Sequence, residues 1–351
     1  MIYYDVTKMA GARQKSGLTR VSSRLQQELG TGVCSVAWKD EAFVFAVEQE
    51  KKIGFQKQDW LLTVELFNCA ERPGFREWID RRECRIAAMF YDAIPLRFPH
   101  VTWPQSVQRH PGHMKMLADF DRIFAISRTS QEDLIGFWKW QGVAPRAQVS
   151  TIEFGADFDG SARATSSPPQ SKRGSRPSLL CVGIVEPRKN QGFLLDVCEA
   201  LWGEGVDFDL HIVGRVNPHF GSPLEKRFKQ TQKCETRLRF HAAASDATLK
   251  ELYREARAVV LPTQAEGCGL PLLEALWHGV PCVGSDLPVL RENAGAGGCL
   301  MAMVSDPADW QKKLRTILTN ADEYGRLQKE ATSRPLPRWA DTAQALLGVL
   351  K

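Results

Sequence analysis

The stretch Ala265-Glu266-Gly267-Cys268-Gly269-Leu270-Pro271-Leu272-Leu273-Glu274-Ala275 decides the fold. It follows an apolar run, residues 258–262, that reads as a buried parallel strand. Its glycines let the backbone turn tightly and approach a ligand closely. Pro271 suits the first turn of a helix, where a missing N–H costs nothing. Leu272, Leu273, Leu276 and Trp277 give that helix an apolar side, and Gly279 stops it. The free N–H groups at the start of a helix suit an anion. Glu266 on the loop and Glu274 in the helix suit hydroxyls, which donate charge-assisted hydrogen bonds to carboxylates. A ligand with both a phosphate and sugar hydroxyls satisfies the whole stretch. A turn with solvated acids is the plainer reading of the same residues.

Working outward, the second half alternates strands and helices. Residues 178–182 read as a strand and 193–202 as a helix, with Gly183-Ile184-Val185-Glu186-Pro187-Arg188-Lys189-Asn190-Gln191 as the loop between them. Residues 209–213 form a strand ending in Gly214-Arg215, and 237–241, 259 and its neighbours, and 280–284 read as further strands. Helices are expected over 247–256 and 307–318 and in the tail, where Trp339, Ala343, Leu346, Leu347 and Leu350 recur near helical spacing. Ahead of this half, residues 161–177, SARATSSPPQSKRGSRP, read as a linker with almost nothing apolar. The first half starts with a strand at 2–6, a loop at 8–15, and a helix opened by Ser16-Gly17-Leu18-Thr19-Arg20-Val21, with Ser16 as a candidate N-cap. Arg20 and Arg24 share one helix face and can meet phosphate or water. Strands follow at 33–38, 42–47, 60–66, 85–91, 122–126 and 148–153, with a hairpin-like turn at Lys39-Asp40-Glu41. The segment 71–82 mixes basic residues with Phe75, Trp78 and Ile79, which fits an interfacial surface or, more simply, an amphipathic helix packing on its own sheet. Asp92 follows a strand, the position at which open α/β sheets bind ligands, and can also cap the next segment. Strands alternating with helices predict parallel sheets in two domains: 1–160, and 178–333 after the linker, with residues 334–351 as a C-terminal helix.

The composition bounds the function. With 351 residues, two domains are the expectation. A net charge of +5 is too mild to argue for nucleic acid, and suits an anionic ligand or an anionic membrane surface. The nine cysteines show no CxxC spacing and several lie in apolar runs, which favours reduced thiols in a cytoplasmic protein. No signal peptide and no apolar run near the roughly 20 residues of a membrane span are expected, so any membrane contact is peripheral. The seven histidines form no HExxH, and no metal site is expected. Neither glycine loop matches GxGxxG or GxxxxGK[ST], which disfavours a nicotinamide enzyme or a P-loop ATPase. Arg188 and Lys189, by contrast, suit a diphosphate: one as a fork, the other as a point charge.

In their order, these motifs resemble the retaining glycosyltransferases of family 4. The carriers are Glu266-x7-Glu274 within EGCGLPLLEALWHGVP, the GIVEPRKN loop at 183–190, the segment from Tyr4 through Ser16 to Val21, Asp92-Ala93-Ile94-Pro95-Leu96, Ser127 with Asp133-Leu134, and Gly155-x-Asp157. The resemblance implies the GT-B fold: two Rossmann-like, doubly wound parallel-sheet domains facing a cleft, with the C-terminal helix crossing back to the first. It implies catalytic Glu266, Lys189 and Arg188, and donor binding by Glu274, Gly267, Cys268, Gly269, Leu270, Gly17, Gly183, Asn190, Gly214, Arg215 and Thr263. It implies acceptor binding by Asp92, Tyr91 and Arg20, with no metal and no cofactor beyond the nucleotide diphosphate sugar, preferably a GDP-sugar. The subgroup most similar is the bacterial mannosyl- and rhamnosyltransferases of surface-polysaccharide assembly. That implies a glycan or polyprenyl-diphosphate-linked acceptor, no nucleic acid, and a place in the cytoplasm or on the cytoplasmic face of the inner membrane. Ile184 and Tyr91 depart from the family pattern, which often has Arg and His there. A silent nucleotide-sugar-binding scaffold and a soluble small-sugar transferase are the alternative readings.

Overall fold

The computed structural model describes residues 1–9, 17–48, 51–157, 160–165 and 176–351. The candidate N-cap Ser16, the loop beyond residue 9 and most of the expected linker lie outside the described residues. The chain divides into two compact units, Met1–Gly155 with Pro337–Lys351, and Ala156–Leu336.

Unit 1 holds a seven-stranded sheet of β1 (Ile2–Asp5), β2 (Cys34–Lys39), β3 (Ala42–Phe45), β4 (Trp60–Thr63), β5 (Arg85–Phe90), β6 (Arg122–Ala125) and β7 (Gln148–Thr151). The spatial order is β3-β2-β1-β4-β5-β6-β7. All pairs are parallel except the β2–β3 hairpin. That hairpin is the departure from an all-parallel sheet: Asp40 and Glu41 both take positive φ, 48° and 59°, and so make the tight turn between the two strands. The helices are α1 (Gly17–Leu29), α2 (Phe75–Arg81), α3 (Ile94–Arg97), α4 (Pro104–Leu117) and α5 (Arg128–Trp140). On α2, Phe75, Trp78 and Ile79 are buried, so segment 71–82 is an ordinary amphipathic helix whose apolar side packs inward. The pattern of 104–117 hides α4, because Pro111 sits inside it and breaks the expected periodicity.

Unit 2 holds β8 (Ser178–Val182), β9 (Asp209–Val213), β10 (Leu238–His241), β11 (Ala258–Leu261), β12 (Cys282–Ser285) and β13 (Cys299–Ala302), in the order β10-β9-β8-β11-β12-β13. Every pair is parallel. Helices α6 (Gln191–Gly203), α7 (Ser222–Cys234), α8 (Asp246–Glu255), α9 (Leu270–Trp277), α10 (Pro288–Ala294), α11 (Pro307–Thr319) and α12 (Ala321–Ser333) complete it. Leu194, Leu210, Ile212, Val260, Trp310 and Leu314 belong to one apolar core that joins strands to helices. Residues 161–165 of the expected linker dock onto this unit: the Trp277 indole donates to Ser161 O at 3.0 Å, and Arg163 to Ala331 O at 2.9 Å.

The last helix, α13 (Trp339–Leu350), belongs to unit 1 and packs along α1. Its start lies so close to Gly155 that a Cβ there would sit 2.1 Å from Trp339 N. Thr342 Oγ1 donates to Glu153 O at 2.9 Å, and the Phe154 and Trp339 rings lie 5.0 Å apart.

Candidate functional site

In each sheet the strand order reverses at one place, β1/β4 in unit 1 and β8/β11 in unit 2. Open α/β sheets bind ligands at the carboxyl ends of such strands. In unit 2 the loops leaving β8 and β11 carry the residues singled out from the sequence.

Lys189 Nζ donates to Glu266 Oε2 across these two loops. Burial opposes the charge on Glu266, yet Lys189 and Arg188 together, helped by the Gly267 N–H, hold its carboxyl below the usual range. Arg188 is more tightly engaged. Its guanidinium donates to Glu186 Oε1 at 2.7 and 3.1 Å and to Ala265 O at 2.8 Å, and lies 4.0 Å from Glu266. Glu186 is fixed in turn by Asn217 Nδ2 at 2.9 Å. Arg188 therefore ties the two loops together, while Lys189 presents the point charge. The roles of Glu186 and Asn217 escaped the sequence reading, because a loop acid and a distant Asn carry no spacing signal.

Thr263, expected as a donor ligand, is 1% exposed. Its hydroxyl is directed at Ala265 O (2.8 Å) and Arg188 O (3.1 Å), so it braces the loops and does not face a ligand. Gly214 has a steric reason to be glycine, since a Cβ would lie 1.9 Å from Gly183 O. Val185 N donates to Arg215 O at 2.9 Å, closing the same contact. Asn190 takes a left-handed φ of 56° ahead of α6 and donates to Ser305 Oγ at 3.2 Å.

Gly269 caps α9 with φ 81°, where glycine is favoured, and a Cβ there would meet Leu290 Cδ2 at 2.5 Å. Leu270 is the first helical residue, and Pro271 falls in the first turn as its chemistry requires. Asn293 Nδ2 holds Cys268 O at 2.6 Å, a brace the sequence reading missed. The Cys268 thiol is pushed up to about 12 by burial and by the Glu266 charge, which makes it inert. Glu274 is buried, and its Oε2 accepts from the Tyr253 hydroxyl at 2.8 Å. Tyr253 stacks on His278 with ring centres 5.5 Å apart.

Unit 1 places its candidates differently. Asp92 Oδ1 accepts from Ile94 N at 2.9 Å in a local i, i+2 turn, while Ala93 is the N-cap of α3, and the Asp92 backbone O accepts from His110 Nε2 at 2.8 Å. Tyr91 is buried with its hydroxyl donating to Val64 O at 2.7 Å. This corrects the reading of Tyr91 as an acceptor ligand, since its polar tip is turned into the domain. Ser130 Oγ donates to Tyr91 O at 2.6 Å, tying α5 to the end of β5. Arg24 pairs with Glu28 at 2.7 Å rather than presenting itself to phosphate. A Cβ on Gly17 would meet no atom within 4 Å. At the β1/β4 reversal lies a buried ionic cluster: Arg72 bridges Asp5 Oδ2 (2.7 Å) and Glu65 Oε2 (2.5 Å). Glu65 Oε1 accepts from Lys8 N and Met9 N at 2.6 and 3.0 Å. Among the described residues no group of three or more His, Cys, Asp or Glu is placed to hold a metal ion.

The comparisons with known proteins meet this geometry in unit 2. Residues 176–320 match the family model described as glycosyl transferases group 1. The chain carries a glycosyltransferase group 1 domain. That domain contains both loops, Lys189, Glu266 and Glu274. The chain is similar to the serotype-specific mannosyltransferase WbdA of Escherichia coli, with 30% identity over 327 residues. The match covers 83% of this chain and 39% of WbdA, so the chain spans about two fifths of that relative's length. The solved sucrose-phosphate synthase of Thermosynechococcus elongatus shares the fold, with TM-score 0.74, 16% identity, and coverage of 99% of this chain and 97% of that one. WaaG, a glycosyltransferase involved in lipopolysaccharide biosynthesis, matches over all of both chains with TM-score 0.64 and 12% identity. The two parallel-sheet units are thus those of the GT-B glycosyltransferases.

Proposed function

We propose that the chain is a retaining, metal-independent glycosyltransferase acting in surface-polysaccharide assembly. It moves a hexose of mannose or rhamnose type from a nucleotide diphosphate sugar, preferably a GDP-sugar, to a glycan or lipid-linked glycan acceptor. The observation that carries this reading is the Lys189–Glu266 pair on the loops of β8 and β11, beside the N-terminus of α9. The similarity to a mannosyltransferase supports mannose as the sugar and GDP-mannose as the first donor to test.

The chemistry follows from charge. As the glycosidic bond breaks, the departing diphosphate gains negative charge. Lys189 and the positive N-terminal end of α9 meet that charge, and stabilisation that grows toward the transition state lowers the barrier. Arg188 fixes the loop that carries Lys189 and adds its own field. Glu266 exchanges its bond from Lys189 for hydroxyls of the donor sugar, and Glu274 takes the ribose hydroxyls. The leaving diphosphate serves as the base that takes the proton of the acceptor hydroxyl. The enzyme works in the cytoplasm, with peripheral contact to the inner membrane when its acceptor is lipid-linked.

The test is a thermal-shift panel of nucleotides and nucleotide sugars, followed by transfer assays with the donors that bind. Stabilisation of about 2.7 kcal/mol is expected at 100 times the dissociation constant. No shift with any nucleotide diphosphate or its sugars would overturn the proposal. Tight binding with no transfer across an acceptor panel would replace it by a scaffold role.

A further inference from the structure

The loops that leave the neighbouring strands β9, β8 and β11 are joined by one run of side chains. On the β9 loop, Asn217 Nδ2 donates to Glu186 Oε2 at 2.9 Å. On the β8 loop, Glu186 Oε1 accepts from Arg188 Nη2 and Nε at 2.7 and 3.1 Å. Arg188 Nη1 then reaches Ala265 O on the β11 loop at 2.8 Å. Asn217 and Glu186 are each only 8% exposed.

The far end of this run is fixed by backbone. Val185 pairs with Val216 in parallel register, Val185 N donates to Arg215 O at 2.9 Å, and Asn217 N donates to Val185 O at 3.0 Å. A Cβ on Gly221 would lie 2.6 Å from Val185 O and 2.8 Å from Asn217 N, so backbone packs on backbone there. Asn217 Oδ1 is used within its own loop, accepting from His219 N at 2.9 Å and Phe220 N at 3.3 Å. Those two donors settle which way round the amide lies, and its NH2 is left to face Glu186. An amide satisfies the second oxygen of the buried carboxylate without adding charge, so Glu186 stays aimed at Arg188. A planar guanidinium bonded to both Glu186 and Ala265 O is held in one orientation. Arg188 and Lys189 share the single turn Pro187–Lys189, so the place of the Lys189 ammonium depends on the same anchor.

We propose that Asn217 is a positioning residue for the diphosphate of the donor, acting through Glu186 and Arg188 on the cations of the β8 loop. The inference rests on the glycosyl-transfer reading above and extends its site to a third loop. It is tested on the full chain by calorimetry with GDP, UDP and ADP. Asn217→Asp keeps the oxygen that its own loop needs and turns the donor toward Glu186 into an acceptor. In alkaline buffer, where no proton bridges the two carboxylates, it should weaken binding of the preferred nucleotide roughly tenfold, as one lost bond to a buried charge does. The binding stoichiometry should stay that of the parent. A role confined to folding would lower the fraction of protein that binds and leave the dissociation constant alone. In the double variant Glu186→Gln with Asn217→Asp, amide and carboxylate trade places: the amide oxygen at 186 accepts from Arg188 and its NH2 donates to the acid at 217. That variant should recover most of the affinity. An unchanged dissociation constant in Asn217→Asp, or a double variant that binds no better than Asn217→Asp, overturns the inference and leaves the transferase reading standing. If Asn217→Asp does not fold, the double variant is compared with Glu186→Gln alone, which sets two amide donors face to face. Tighter binding by the double variant upholds the inference, and equal binding overturns it. A parent that binds none of the three nucleotides overturns the transferase reading and the inference with it.

Discussion

Lys189 donates from Nζ to the Glu266 carboxylate, and the two residues sit on the loops of β8 and β11, the strands between which the order of the sheet reverses. On the proposed reading, this pair holds the cation where the diphosphate of the donor binds. Lys189→Ala is expected to lower kcat by about 10²–10³, the usual loss when one preorganised donor to a developing charge is removed. Steady-state kinetics with GDP-mannose check this, and full kcat in the variant would remove Lys189 from the mechanism. Burial opposes the charge on Glu266, but Lys189 and Arg188 outweigh it and hold its carboxyl below the usual range, so this carboxylate is protonated only in acid.

The Asp5–Arg72–Glu65 cluster places two carboxylates against one guanidinium, all three residues buried. Arg72→Met leaves both acids uncompensated and should cost about 3–5 kcal/mol, read by urea unfolding. Burial, then the Asp5 charge, outweigh Arg72 and raise the Glu65 carboxyl from 4.5 to about 7. Between those values the folded chain keeps a proton that the unfolded chain has released. The contribution of Glu65 to stability therefore falls as pH rises from about 4.5 to about 7. Unfolding measured from about pH 5 to about pH 8 should show that slope in the parent and its loss in Glu65→Gln.

Much of this was legible in the sequence, and what was not has physical causes. The stretch 265–275 gave strand, loop and helix start because glycine and proline each mark one backbone conformation. The GIVEPRKN loop was placed correctly, yet its two cations divide their work in a way no spacing reveals. Arg188 is bound to Glu186 and Ala265, while Lys189 reaches Glu266. The family resemblance implies Thr263 and Tyr91 as ligands, but a motif position does not say which way a side chain turns, and both turn inward. Helix α4 was missed because Pro111 interrupts it, and with it went His110, which bonds the Asp92 loop.

Glu274 accepts from Tyr253 at 2.8 Å while sitting 5% exposed. If its other oxygen takes the ribose, Glu274→Gln should weaken GDP binding by roughly tenfold, since a charge-assisted hydrogen bond contributes about 1.5–3 kcal/mol. Tyr253→Phe removes only the orienting bond and should cost a smaller, few-fold factor. Calorimetry with GDP and with its 2′,3′-dideoxyribose analogue separates the two effects. In Glu274→Gln the parent's preference for GDP over the analogue should vanish, and a preference retained in full would reassign Glu274 to structure alone.

Gly155 lies against backbone, not side chain: a Cβ would meet Trp339 N at 2.1 Å and Arg338 C at 2.5 Å. Backbone atoms cannot rotate away, so Gly155→Ala must displace the start of α13. That strains the Phe154–Trp339 contact and the Thr342–Glu153 bond together. Overpacking of this kind costs about 1–3 kcal/mol or more. For a unit of this size that is roughly 2–4 °C of Tm per kcal/mol, so a fall of several degrees is expected in calorimetry. Gly136 is the contrast: it lies within α5, and a Cβ there meets nothing within 4 Å. Gly136→Ala should raise stability by up to about 1 kcal/mol through helix propensity. Equal effects of the two variants would show that α13 does not depend on Gly155 for its place on unit 1.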